Sequence, residues 1–259
     1  MKTYKVIIVL LILIITQRGM TQIHTESIDY KDGEVVLEGY IAYDESFNDV
    51  RPGILVVHEW TGLNDYTKMR CEMLAKLGYF AFAADIYGKG VRPNTPEEAG
   101  KQASIYKNDR TLLRKRINAA LDEMKKQKLV NTSKIAAIGY CFGGMCALEL
   151  GRSGADIKGI VSFHGTLDTP NPDDAKNIKA KILICQGGDD PFVPEKQIKS
   201  FKEEMDNANI NYKFISYEGA VHSFTNPNSG SDPSKGAAYN EKADKASWED
   251  MKNFFGGIF

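Results

Sequence analysis

The apolar positions of the chain fall into short continuous or alternating runs, separated by longer segments in which they recur every three or four residues. Residues 35–43 alternate as a strand does. Residues 53–58, Gly-Ile-Leu-Val-Val-His, are continuously apolar up to the histidine, the pattern of a strand covered on both faces. Residues 65–77 carry Met69, Met73, Leu74 and Leu77 at helical spacing, and Gly78 follows as a stop signal. A strand is expected over 79–84. Pro96, Glu97 and Glu98 open a long helical stretch with Ile105, Leu112, Leu113, Ile117, Leu121 and Met124 on its apolar side. The remainder reads as strand 135–138, helix 145–150, strands 159–163 and 182–185, helix 195–205, strand 212–217 and a terminal helix around 239–254. Strands spaced by helix-length segments require crossover connections. The expected fold class is therefore α/β, with a mostly parallel central sheet and helices on both faces. Residues 225–236, rich in Asn, Pro, Ser and Gly, are expected to form a surface loop.

Composition narrows the class without naming a reaction. The 259 residues are 42% hydrophobic and 26% charged, a globular profile that excludes a disordered, collagen-like or polytopic membrane chain. Lys and Arg number 33 against 34 Asp and Glu, so nothing in the charge balance points to nucleic acid. The four cysteines, Cys71, Cys141, Cys146 and Cys185, are too few and too unevenly spaced for a disulfide scaffold or a paired-CxxC zinc site. No metal or cofactor is expected. The N-terminus is a separate object: Lys2 and Lys5 precede an apolar run over 6–15, with Gly19 and Thr21 beyond it, the pattern of a secretory signal. The run is shorter than the roughly 20 residues that a spanning helix needs. Cleavage after Thr21 and export to the periplasm or the medium are expected, with an uncleaved membrane anchor as the alternative. Cleavage removes three basic side chains and no acid, leaving a net charge of −4 that disfavours an anionic membrane surface. Residues 22–259 are then expected to be one domain, monomeric and free of the membrane. Free thiols in such a protein sit in tension with an oxidising compartment.

The most informative stretch is Gly139-Tyr140-Cys141-Phe142-Gly143-Gly144, between a strand-like and a helix-like segment. A nucleophile on a sharp strand-to-helix turn occupies a strained backbone position and needs small residues two before and two after it, which Gly139 and Gly143 supply. The N–H groups opening the next helix favour a thiolate and an oxyanion, with Phe142 N–H as a donor. The competing reading is a buried cysteine in a glycine-rich turn, or a phosphate loop. Against the latter, no Walker lysine follows, and the glycines do not make GxGxxG. Cys146 reads as core packing. Two later strands end in complementary chemistry, one in Gly187-Gly188-Asp189-Asp190-Pro191-Phe192-Val193-Pro194 and the other in Glu218-Gly219-Ala220-Val221-His222-Ser223-Phe224. In a parallel sheet such ends share one edge, so a carboxylate and an imidazole reach the side that carries Cys141. Asp190, directly before the Pro-Phe-Val-Pro turn, is preferred to Asp189 as the acid that orients His222. His222 would then hold the thiolate and protonate the leaving group. A surface-loop histidine is the bland alternative. His164, ending strand 159–163, is read as making a structural hydrogen bond in preference to lining the site.

From about Gly33 to Phe254 the chain resembles the dienelactone hydrolase family of α/β-hydrolases. The likeness is carried by Val57-His58-Glu59-Trp60-Thr61-Gly62-Leu63, Ala84-Asp85-Ile86-Tyr87-Gly88, Gly139 to Gly144, Asp190-Pro-Phe-Val-Pro194 and His222-Ser-Phe-Thr225. The resemblance implies an α/β-hydrolase fold, Cys141, Asp190 and His222 as a triad, and Trp60 as the second backbone oxyanion donor. It also implies that Glu59 contacts the resting nucleophile, is displaced by substrate and helps take the thiol proton. A carboxyl beside a thiol keeps both partly protonated. Tyr87, Lys89, His164 and Phe192 are the candidate substrate contacts. The departures concern specificity: members that cleave dienelactone hold the substrate carboxylate with arginines, where this chain has Lys89 after Tyr87 and Asn226 after the histidine. Lys89 or Arg92 would be the substitute cation, a role that spacing does not show. The implied reaction is hydrolysis of a small-molecule ester or lactone through an acyl-enzyme. A broad carboxylesterase, thioesterase or peptidase, or a non-catalytic binding protein on the same fold, are the alternatives.

Overall fold

The computed structural model describes residues 22–259, and the expected signal segment lies outside the described residues. The first element is one that the hydropathy pattern does not reveal. Strand β1 (Ile23–Asp32) pairs along its whole length with β2 (Val35–Asp44), from Ile23 opposite Asp44 to Asp32 opposite Val35. The turn between them places Gly33 at φ 58°, a left-handed conformation open to glycine without a Cβ penalty. Most β1 side chains are not buried, so backbone pairing, and not an apolar face, makes it a strand.

The other strands are β3 (Arg51–Val57), β4 (Phe80–Ala84), β5 (Val130–Tyr140), β6 (Gly159–Phe163), β7 (Lys181–Gly187) and β8 (Tyr212–Tyr217). All eight form one sheet in the order β1-β2-β4-β3-β5-β6-β7-β8. Neighbours from β4 to β8 along this order are parallel, whereas β2 joins β4 antiparallel and brings β1 with it as the sheet edge. Strand β3 alternates its side chains between two cores: Leu55 and Val57 enter one, Ile54 and Val56 the other. The first core is closed by α2 (Pro96–Asn108), α3 (Arg110–Lys125), α4 (Phe142–Arg152) and α5 (Glu195–Asn207). The second is closed by α1 (Asp65–Lys76) and α6 (Glu241–Gly256). This is an α/β-hydrolase sheet with helices on both faces.

Strand β5 starts at Val130, five residues before the expected strand, and two helix boundaries also differ from the periodicity. The long helical stretch after Pro96 is two helices, because Asp109 leaves helical geometry at φ −121°, ψ 85° and caps α3 by accepting from Leu112 N–H. Helix α4 begins at Phe142, three residues earlier than its apolar pattern suggests; all eleven of its residues are buried, so no amphipathic stripe marks its start. Among the described residues no helix is long and apolar enough to cross a membrane. The chain runs outward from β3 to β4 on one side and returns to β5 on the other. The strand order therefore reverses between β3 and β5, opening a crevice at their C-terminal ends.

Candidate active site

Cys141 lies in that crevice, between β5 and α4, at φ 55° and ψ −117°. Such a conformation costs a non-glycine residue about 1–3 kcal/mol and persists only where its surroundings enforce it. They do so by close approach. A Cβ on Gly139 would stand 1.9 Å from the Gly143 carbonyl oxygen, and one on Gly143 would stand 2.3 Å from the Val57 carbonyl oxygen. The first turn of α4 is thus pressed against the ends of β3 and β5. The Cys141 N–H points inward, donating to Phe163 O at 3.0 Å and to His164 Nδ1 at 3.1 Å. Phe142, the first residue of α4, has an N–H with no carbonyl one turn back to receive it.

The side chain of Cys141 meets an imidazole. His222 Nε2 lies 3.0 Å from Cys141 Sγ, and His222 Nδ1 lies 2.9 Å from Asp190 Oδ2. Asp190 is itself fixed, by Phe192 N–H on Oδ1 at 2.8 Å and by Gln186 Nε2 on Oδ2 at 2.8 Å. Burial alone would pull the His222 imidazolium toward neutrality. The sulfur charge of Cys141 and the hydrogen bond to Asp190 outweigh it and push the pKa up from 6.5 to about 10. The loop behind His222 is anchored to the Asp190 turn: His222 N–H donates to Gly236 O, and a Cβ on Gly236 would meet Pro191 at 2.9 Å. The stretch expected to be only a surface loop thus braces the imidazole from behind.

Glu59, just past β3, is almost fully buried and is held from the His222 loop. Asn226 Nδ2 donates to Glu59 Oε2 at 2.6 Å, and Ser223 Oγ donates to Oε1 at 3.4 Å. Desolvation raises the Glu59 pKa, while Asn226, the His222 charge and Ser223 oppose it. Here Sγ pairs with His222, and the Glu59 carboxylate faces Asn226 and Ser223. The backbone of the same loop is set by His58, whose Nδ1–H donates to Glu59 O at 2.6 Å and whose Nε2 accepts from Ile86 N–H at 3.2 Å. Burial lowers the His58 pKa to about 4, so it serves as a neutral tie. Tyr87 hydroxyl donates to Trp60 O at 2.9 Å, fixing the peptide unit that follows Trp60.

The sequence profile of the dienelactone hydrolase family matches residues 37–259. The chain belongs to the dienelactone hydrolase family. It is similar to the crystal structure of a dienelactone hydrolase-like promiscuous phosphotriesterase from metagenomic libraries, at 38% identity and TM-score 0.88, covering 92% of this chain and 99% of that one. It is also similar to Protein usf of Aquifex pyrophilus, 28% identical over 206 residues, 78% of this chain and 87% of the other. A chain of Aquifex aeolicus, named provisionally as a carboxymethylenebutenolidase, is 25% identical over 235 residues, 89% of this chain and 97% of the other. The chain is thus a member of a hydrolase family.

Some expected residues stand where the sequence reading puts them, and others have unexpected surroundings. Asp190, and not the exposed Asp189, faces His222. Lys89, expected at the substrate, is half-exposed and bonds Asp29 Oδ2 at 2.5 Å. Its partner lies on β1, the strand that the hydropathy pattern does not reveal. Arg92 is likewise engaged, donating to Val91 O at 2.9 Å and pairing with Glu38 at 3.5 Å. His164, a candidate substrate contact read first as a structural hydrogen-bonding residue, is fully buried with both ring nitrogens bonded to protein. Tyr87 is buried, and its hydroxyl is taken by Trp60 O. Phe192 and Trp60 remain at the rim, 54% and 38% exposed, with the Phe192 ring edge-on to His222 at 5.3 Å. Asn226, Ser223 and Gln186 are the site residues that sequence reasoning did not assign. Each acts by holding another side chain, which leaves no local signature.

Proposed function

We propose that this chain is a cysteine-dependent hydrolase of esters or lactones, with Cys141 as nucleophile, His222 as acid and base, and Asp190 as the group that orients it. The observation that carries the reading is the continuous row of Asp190, His222 and Cys141, at 2.9 and 3.0 Å, ending on a positive-φ turn at a helix N-terminus. Cys141 Sγ, paired as thiolate with the His222 imidazolium, attacks the carbonyl carbon. The carbonyl oxygen becomes an oxyanion held by the N–H groups of Phe142 and Trp60. Collapse breaks the ester C–O bond, and the departing alkoxide takes the Nε2 proton of His222. In a lactone it stays tethered to the acyl group. Water then loses a proton to His222 and attacks the thioester, releasing the acid and restoring the ion pair. Glu59 is bonded to Asn226 and Ser223 in the His222 turn, so the thiol proton is assigned to His222. The aromatic rim of Trp60 and Phe192 supports a small-molecule substrate with an apolar group.

Cys141→Ala should abolish turnover of an activated aryl ester, whereas Cys146→Ala, in the core, should retain it. Wild-type rates in the Cys141 variant would remove the assignment. Mass spectrometry after incubation with an electrophilic acyl probe should find one adduct, at Cys141, and its absence would favour a binding protein on this fold. A panel of lactones, aryl esters and thioesters, compared by kcat/KM, separates the substrate classes. A phosphotriester belongs on it because the metagenomic relative is named for that activity. We infer further that residues 1–21 direct export and that the mature chain is a monomer. N-terminal sequencing of the exported protein and its size in solution test both.

A further inference from the structure

The buried side of Cys141 carries a row of hydrogen bonds that the proposed chemistry does not use. The Cys141 N–H donates to His164 Nδ1 at 3.1 Å. A ring nitrogen that accepts carries no hydrogen, so in the neutral ring Nε2 bears it and donates to Thr225 Oγ1, 2.7 Å away. Thr225 Oγ1 also lies 2.6 Å from the Tyr66 hydroxyl, which accepts from Arg70 Nε at 3.2 Å. Arg70 Nη2 donates to the Thr225 carbonyl and to Asp244 Oδ1, both at 2.6 Å. The row runs from the peptide of Cys141, through one imidazole, into the turn that carries His222 and Asn226.

Three features exceed what filling space requires. An apolar side chain would occupy the volume of His164 without polar atoms to satisfy, whereas this fully buried ring has a partner on each nitrogen. The backbone is strained at both ends of the row. Four non-glycine residues among those described have positive φ, and three of them, Cys141 at 55°, His164 at 41° and Ser223 at 56°, lie here. The ring is also kept uncharged: burial first, then the charges of His222 and Arg70, hold its pKa well below the usual histidine range. Its ring stands at 68° to His222 with centroids 5.3 Å apart. A second cation at that place would oppose the imidazolium.

Resting on the assignment of Cys141 and His222 above, we propose that His164 is a positioning residue. Together with Thr225 it ties the nucleophile's peptide to the His222 turn and sets the separation of Sγ and Nε2. The tie acts alongside the backbone bond of the same Cys141 N–H to Phe163 O, and the next N–H, that of Phe142 at the helix start, is the one free for the oxyanion.

Thr225→Val removes the hydroxyl at nearly constant volume and keeps the carbonyl bond to Arg70. His164→Ala removes the tie, and His164→Gln returns one acceptor and one donor. Iodoacetamide labelling of Cys141, followed by mass spectrometry across pH, reads the sulfur without requiring turnover. Thr225→Val and His164→Ala should move the labelling midpoint up by about one pH unit, a tenfold change in thiolate stability. They should lower kcat by about tenfold or more with KM changed about twofold at most, and His164→Gln should recover part of both. A Thr225→Val protein with wild-type labelling and kcat, whatever its melting temperature, overturns the proposal and leaves the row a fold support. Should His164→Ala not fold, Thr225→Val and His164→Gln decide. Turnover surviving in Cys141→Ala overturns instead the assignment beneath the proposal. The two failures are distinct because labelling reports the tie without turnover.

Discussion

Two carboxylates approach the Cys141–His222 pair, and their partners give them different work. Asp190 receives Phe192 N–H, Gln186 Nε2 and His222 Nδ1, a donor set that fixes the carboxyl group in orientation toward the ring. Asp190→Asn should lower kcat by about a thousandfold or more with the fold intact, because an amide presents the ring with the wrong hydrogen-bonding partner. Steady-state kinetics beside an unchanged circular dichroism spectrum would check this. Glu59 is instead buried with an amide and a hydroxyl, and desolvation raises its pKa. A group raised in the folded state contributes stability at low pH and loses it as pH climbs through the raised value. Glu59→Gln does not titrate and can still accept from Asn226. It should melt about 2–4 °C higher than wild type at pH 8, with the gap closing toward pH 4. Thermal scans across pH would reveal the trend, and a gap independent of pH would refute it. His222 obeys the same sign. Its folded pKa, raised from 6.5 to about 10, gives stability present below pH 6.5 and lost on the way to 10. The alkaline limb of kcat/KM should fall in that upper range, where the leaving-group proton disappears.

At the scale of elements, the site depends on how tightly α4 is pressed onto β3 and β5. Gly143 has the Val57 carbonyl 2.3 Å from where its Cβ would be, and backbone cannot yield as a flexible side chain does. Gly143→Ala should therefore destabilise the fold by about 2–3 kcal/mol and displace Cys141, visible as a lower denaturant midpoint and loss of ester turnover. A neutral outcome would mean that the turn is looser than its geometry indicates. The strand-turn-helix unit was legible because Gly139, Cys141 and Gly143 are local in sequence and sterically required. The start of α4 was not, since a helix buried on every side carries no periodic stripe. Strand β1 was missed for the opposite reason: it is an edge strand held by backbone pairing with β2, with few buried side chains.

Across the whole molecule, the cations near the crevice are already committed. Lys89 is bonded to Asp29, Arg92 to Glu38 and loop carbonyls, and Arg70 to Asp244 and Thr225. An exposed pair such as Lys89–Asp29 contributes little, so Lys89→Ala should leave kcat/KM within about twofold of wild type. With those cations engaged and the buried Glu59 held at the His222 turn, neutral esters should be preferred to carboxylate-bearing lactones by about tenfold or more in kcat/KM. A preference for the anionic substrate would show that one of these pairs opens on binding.

The sequence alone determined the layered α/β architecture, the elbow at Cys141 and the convergence of Cys141, Asp190 and His222 at one edge. Apolar periodicity, close glycine packing and parallel strand direction are properties of short segments or of their order, and each can be read along the chain. Tertiary structure alone decided which groups Lys89, Arg92 and Glu59 bond, and why His164 is buried. Lys89–Asp29, Arg92–Glu38, Glu59–Asn226 and Cys141–His164 join residues remote in sequence through polar contacts of 2.5–3.5 Å, a length scale that periodicity along the chain does not encode.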